Sequence, residues 1–125
     1  MTSAILFPAE WYPQSGIQLT WPHEETDWAY MLDEVTTCYI ELAREIARRE
    51  RLLIVTPHPE QVKRLLQGVV DLEAVTFAQC PTNDTWARDH GGITLFCDGT
   101  PAIYDFKFNG WGLKFAANYD NLITS

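Results

Sequence analysis

The stretch TNDTWARDHGG, residues 82 to 92, gathers two aspartates, an arginine, a histidine and a tryptophan into one glycine-ended loop. Asp84 and Asp89 flank Trp86. Each carboxylate can accept paired hydrogen bonds from a planar cation such as a guanidinium, and these charge-assisted bonds are stronger than neutral ones. Trp86 can lie along the face of the same cation, a contact worth about 0.5–2 kcal/mol. A structural reading stands beside it: Asp84 stabilises a turn, Arg88 pairs with an aspartate, and Trp86 fills the core. The loop alone allows both.

Nucleophilic and metal chemistry have less support. His90 and Cys97 fall on opposite faces if residues 91–97 are extended, so they do not form a nucleophile and base. Cys97 reads as a small apolar residue, and Cys38 as packing beside the apolar stripe of a helix. Cys80 follows a strand with no cation nearby and reads as inert. Three cysteines without C-x-x-C spacing frame neither disulfides nor a zinc site. His23, His58 and His90 stand in unrelated contexts with no shared ligand spacing, so no metal site is expected.

The elements that must position the loop can be read around it. IQLTW, residues 17–21, alternates as a half-buried strand does. Thr26 or Asp27 can then cap a helix whose apolar face runs through Trp28, Met31, Leu32, Val35, Tyr39, Leu42 and Ile46, ending near residue 49. Arg44, Arg48 and Arg49 suit the negative end of its dipole. LLIVT is an uninterrupted strand run, expected to be buried on both faces. Pro59 suits a first helical position, and Val62, Leu65, Leu66 and Val69 mark a second, short helix. AVTFA, residues 74–78, makes a strand parallel to LLIVT through a crossover. The 82–92 loop therefore leaves the carboxyl end of a parallel strand, where α/β proteins place ligands. ITLFC and AIYDF follow as a hairpin turned by Asp98-Gly99. The fold class is α/β, with mixed sheets and helices outside.

Nine basic and seventeen acidic side chains give a formal net charge of −8, which argues against nucleic acid as a partner. The N-terminus has no basic residue before a very short apolar run, and no segment is long enough to span a bilayer; a cytoplasmic location without membrane contact is expected. The tail NLITS reads as the start of an element, so the chain is expected to be truncated.

Four segments carry a resemblance, one of them DGTP, which falls in the expected hairpin between the other motifs. FPAEWYPQSGIQLTWPHEETDW resembles the opening of the agmatine deiminase and bacterial-type peptidylarginine deiminase family. TNDTWARDHGG resembles that family's Asn-Asp-Thr-Trp-x-Arg-Asp-x-Gly signature, and YDFKFNGWGLKF its Phe-Asn-x-Trp-Gly segment. The resemblance implies a pentein fold, a five-bladed α/β propeller of ββαβ units, of which residues 1–125 would supply an N-terminal portion of about one to one and a half blades. It implies hydrolysis of a guanidine, in agmatine or in arginine-containing substrates, to a ureido group and ammonia without a cofactor, and a place in putrescine biosynthesis. Asp89 would bind the guanidinium and Trp86 would line the pocket, while Arg88 would organise the loop and Asp84, Asn109 and Trp111 would support it. The nucleophilic cysteine and the histidine would lie in motifs absent here, so none of the catalytic residues is expected in this chain.

The chain departs from the agmatine-specific pattern at Gln14, Gly92 and Leu113, where histidine, proline and glycine are usual. The same acidic, aromatic loop would also suit a non-catalytic module that binds a cationic ligand or a partner chain. A lone blade would leave apolar flanks open, so self-association is expected.

Overall fold

The computed structural model describes residues 2–125. Strand β1 is Ile5–Leu6 and β2 is Gly16–Thr20. Helix α1, Leu32–Ala47, leads to β3, Arg51–Thr56; α2, Pro59–Leu66, leads to β4, Val75–Gln79. A single turn, α3, spans Ala87–His90, and the hairpin strands are β5, Ile93–Cys97, and β6, Thr100–Tyr104. β2, β3 and β4 form one parallel sheet in that order; β1, β5 and β6 form a second, antiparallel sheet. Neither sheet is mixed, because β4 and β5 do not pair: the loop that separates them also separates the sheets.

Burial explains why LLIVT is a strand. β3 is the central strand, and Leu52, Ile54 and Val55 are all buried, so both of its faces are covered. Parallel register aligns Ile17, Leu52 and Val75 in one row and Leu19, Ile54 and Phe77 in the next. Alternation puts both rows on one face. Ala43 of α1 and Val62 and Leu66 of α2 pack with Leu52 and Ile54, so both helices share that side.

Several helix details differ from the expectation. α1 starts at Leu32 after a 3-10 turn, Ala29–Met31, and neither Thr26 nor Asp27 caps it. The Thr26 hydroxyl donates instead to the His23 carbonyl at 2.7 Å, closing a tighter local turn. The buried stripe turns through Ala43, leaving Leu42 43% exposed and Cys38 exposed rather than packed. Arg44, Arg48 and Arg49 pair with Glu41 and Glu45 on the surface, where such pairs contribute little. α2 ends at Leu66, with Leu65 and Val69 exposed; its register aims Val62 and Leu66 inward.

β1 was not legible as a strand. It is two residues long and finds its partner, β5, some ninety positions away (Ile5 opposite Cys97). Asp98 and Gly99, with φ of 49° and 82°, make the tight hairpin turn, and Asp98 also binds both backbone groups of Ala4.

Candidate functional site

Residues 80–92 leave the carboxyl end of β4 and fold back over the ends of β2 and β3. The Cys80 amide donates to the Thr56 carbonyl at 3.2 Å, extending the sheet by one bond. His23, from the loop after β2, pairs through Nε2 with the Thr82 hydroxyl at 2.9 Å. Its Nδ1 accepts from the Glu25 amide at 3.3 Å, so the proton sits on Nε2 and is given to Thr82. The Asp27 amide donates to Asp84 Oδ1 at 3.2 Å. Two loops at one end of the parallel sheet are thereby joined.

Asp84 is the turn residue of this loop. Its Oδ1 also accepts from the Thr85 amide at 2.8 Å, which uses acceptor capacity a cation would need. Trp86 is half-buried and tilts against Trp28, ring centres 5.8 Å apart, so it is neither fully core nor free. Asp89 on α3 is exposed, and none of the hydrogen bonds or ion pairs among the described residues uses its carboxylate. Arg88 pairs with Glu10, at 3.4 Å, and not with an aspartate; α3 turns its side chain outward toward the loop at residues 8–13. The structure thus separates the two aspartates: Asp84 holds the turn and Asp89 remains available.

Residues missed by sequence reasoning hold the other side. Asp120 is 2% exposed. Its Oδ1 accepts the Asn83 amide at 2.7 Å and its Oδ2 the Asp84 amide at 3.2 Å. Asn83 reciprocates, with Oδ1 accepting the amides of Tyr119 at 2.7 Å and Asp120 at 3.0 Å. Burial pushes the Asp120 carboxyl up, against the downward pull of the Asn83 amide. His90 is also buried, and neither ring nitrogen has a hydrogen-bond partner among the described residues. Burial pushes its pKa down, although Asp120, Asp89 and Asp84 pull it back. Asn and Asp are ordinary turn residues in sequence, and only the partner segment 36 to 37 positions away reveals their role.

The second motif makes an unusual turn. Gly110, Trp111, Gly112 and Leu113 all have positive φ, from 56° to 82°. Asn109 caps this left-handed turn, its Oδ1 accepting the Gly112 amide at 2.9 Å. Left-handed geometry costs a non-glycine residue about 1–2 kcal/mol. Leu113 sits at φ 67° and is 86% exposed. Trp111 packs edge-on against Phe108 and Phe115 at 4.9 and 5.6 Å, which supports its strained backbone.

A cleft of about 340 Å³ lies between the loops, lined by Glu25, Asp27, Asp84, Phe115 and Tyr119 among others. A smaller one, about 180 Å³, lies beside His23 and His58, whose rings stand edge to face at 6.4 Å and are not in unrelated surroundings. Neither cleft includes Trp86 or Asp89. No cluster of three metal-ligating side chains occurs among the described residues. Cys97 Sγ lies 3.4 Å from the Tyr104 hydroxyl, a polar contact its apolar reading did not include. Burial pushes the Cys80 thiol up, which lowers the share of reactive thiolate. No helix among the described residues is long and apolar enough to cross a membrane.

Residues 6–125 match the family of Porphyromonas-type peptidyl-arginine deiminases. The chain belongs to this family. Among solved structures, a Porphyromonas gingivalis protein described as a candidate arginine deiminase is 54% identical, with a TM-score of 0.83 over 97% of this chain and 35% of that one. A C. jejuni agmatine deiminase variant with substrate bound is 33% identical, with a TM-score of 0.87 over 97% of this chain and 35% of its own. The agmatine deiminase of Pseudomonas syringae pv. syringae is 26% identical over 106 residues, which are 84% of this chain and 28% of that protein. The deiminase-family chain is therefore mixed α/β like these relatives and spans little more than a quarter of the curated ones it matches.

Proposed function

We propose that this chain is the N-terminal part of a guanidine deiminase of the pentein propeller type, and that Asp89 binds the guanidinium of agmatine or of an arginine-containing substrate. The observation that carries the reading is the division of labour in the 82–92 loop. Asp84 is committed to backbone amides, while Asp89 stands exposed one turn after the half-buried face of Trp86. A carboxylate held that way keeps a guanidinium charged and in place once it leaves water. Its carbon stays electrophilic. A cysteine thiolate from elsewhere in the longer protein attacks that carbon, ammonia leaves with a proton supplied by a histidine, and water releases the ureido product from the thiouronium intermediate. None of Cys38, Cys80 or Cys97 takes the nucleophile's part: Cys38 lies out on α1, Cys80 is deactivated by burial, and Cys97 contacts Tyr104. The remaining walls of the pocket, in this reading, come from other blades, which accounts for Asp89 lying outside both clefts.

The test is ammonia release from agmatine and from N-acylated arginine. The full-length protein produces ammonia and a ureido product; residues 1–125 alone produce none. Inactivity of the full-length protein on both guanidines would overturn the reading. Turnover by 1–125 that survives serine at all three cysteines would overturn the thiolate mechanism.

A further inference from the structure

One short turn, Asp120–Leu122, holds both motif loops at once. Asp120 takes the amides of Asn83 and Asp84, the two residues just ahead of Thr85 and Trp86. The next residue, Asn121, takes the Phe108 amide through Oδ1 and gives its Nδ2–H to the Phe108 carbonyl, both at 2.7 Å. Phe108 is the residue directly before Asn109 and the left-handed turn. Asn83 closes the arrangement by accepting two amides from the 119–120 backbone and donating through Nδ2 to Asn118 Oδ1 at 3.2 Å.

The chemistry of Asp120 is more than packing requires. A carboxylate withdrawn from water is costly unless its lone pairs are used. An apolar residue could fill the same space, but only an acceptor can fix the peptide planes at positions 83 and 84. Fixing those planes sets the direction in which Asp84, Trp86 and α3 leave the sheet. Asn121 does the same for the Phe108 peptide. Because the two are adjacent, the 82–92 loop and the 108–113 turn are referenced to one piece of backbone.

We propose that Asp120 and Asn121 are positioning residues for the guanidine site, fixing the Trp86–Asp89 loop and the Asn109–Trp111 turn relative to each other through bonds to the backbone. The inference rests on the deiminase reading. Neither residue needs to touch substrate. Misplacement of a binding group by about 1 Å can cost on the order of 100-fold in rate.

The experiment uses the full-length protein, with agmatine and N-acylated arginine as probes. Asp120→Ala, folded by circular dichroism at the assay temperature, is expected to lose about 100-fold in kcat/KM. Its amides at 83 and 84 should exchange with deuterium faster than in the unsubstituted protein. Asp120→Asn keeps one acceptor for the Asn83 amide but turns an NH2 toward that of Asp84, so it should recover part of the loss. Asn121→Ala should speed exchange at Phe108 and lower kcat/KM with the folded fraction unchanged. A merely structural role would lower activity only in proportion to unfolded protein and would show no graded rescue. A folded Asp120→Ala protein with unsubstituted kcat/KM, or amides at 83 and 84 that exchange at the unprotected rate from the outset, overturns the proposal. Inactivity of the unsubstituted protein on both probes removes the deiminase reading instead, and the positioning role with it.

Discussion

The parallel sheet and the loop cluster at its carboxyl end are held by different forces. In the sheet, Leu52, Ile54, Val62, Leu66 and Val75 exclude water, and shape decides which side chain fits. In the loop cluster the buried side chains are His23, Thr26, Thr82, Thr85, His90 and Asp120, and bonds from side chains to backbone decide much of the geometry. Apolar contacts tolerate small adjustments, because each contributes little and many act together. Directional bonds do not. The region that holds Asp89 and Trp86 is built from the less forgiving kind.

The sharpest way to test that contrast is to remove volume from the sheet. Ile54→Ala removes volume from a fully buried position and should cost about 2–5 kcal/mol of stability. Chemical denaturation followed by circular dichroism measures it. A loss under 1 kcal/mol would mean that the sheet is not the stable half.

A smaller effect should appear with pH, and it comes from the loop cluster in the range set by His90. His90 is pushed below its usual 6.5 by burial, so between its folded value and 6.5 the unfolded chain binds more protons than the folded one. Stability from this group is complete above 6.5 and is lost as pH falls through that window. Asp120, pushed above 3.8, acts in the opposite sense from that value upward. Replacing His90 with phenylalanine, which suits its place beside Phe108, should flatten the fall in melting temperature on going from pH 7.5 toward pH 5. An unchanged slope would show that His90 is not the group responsible.

The same contrast decides what could be read from the residues alone. β3 was legible because an apolar run of that length has few alternatives, and β5–β6 because Asp98-Gly99 permits two positive φ angles. The resemblance pointed to the 82–92 loop before any geometry was known. It gave Asp89 the guanidinium and Asp84 a supporting place, whereas the loop residues alone did not separate them: both are aspartates in one loop, and only the geometry shows Asp84 holding the Asp27 and Thr85 amides. Asp120 and Asn83 escaped for a related reason. Each looks like a turn residue, and each acts on a segment far along the chain. The cap of α1 was misplaced because Thr26 had a nearer partner, the His23 carbonyl. Cys38 was misjudged because the buried stripe of α1 turns through Ala43 and away from it.

Asp89→Asn in the full-length protein tests the guanidinium assignment most directly. The amide keeps the size of the side chain, removes its charge, and places a donor where an acceptor is needed. Losing one partner of a desolvated ion pair costs about 2–5 kcal/mol, a fall of roughly 30-fold to several thousand-fold in kcat/KM. The melting temperature should hardly change, because the Asp89 side chain is exposed and takes no part in the loop's hydrogen bonds among the described residues. The measurement is steady-state ureido-product formation, with thermal melts on the same preparations. A folded Asp89→Asn protein that loses activity in that range supports the guanidinium clamp; one that keeps the kcat/KM of the unsubstituted protein contradicts it.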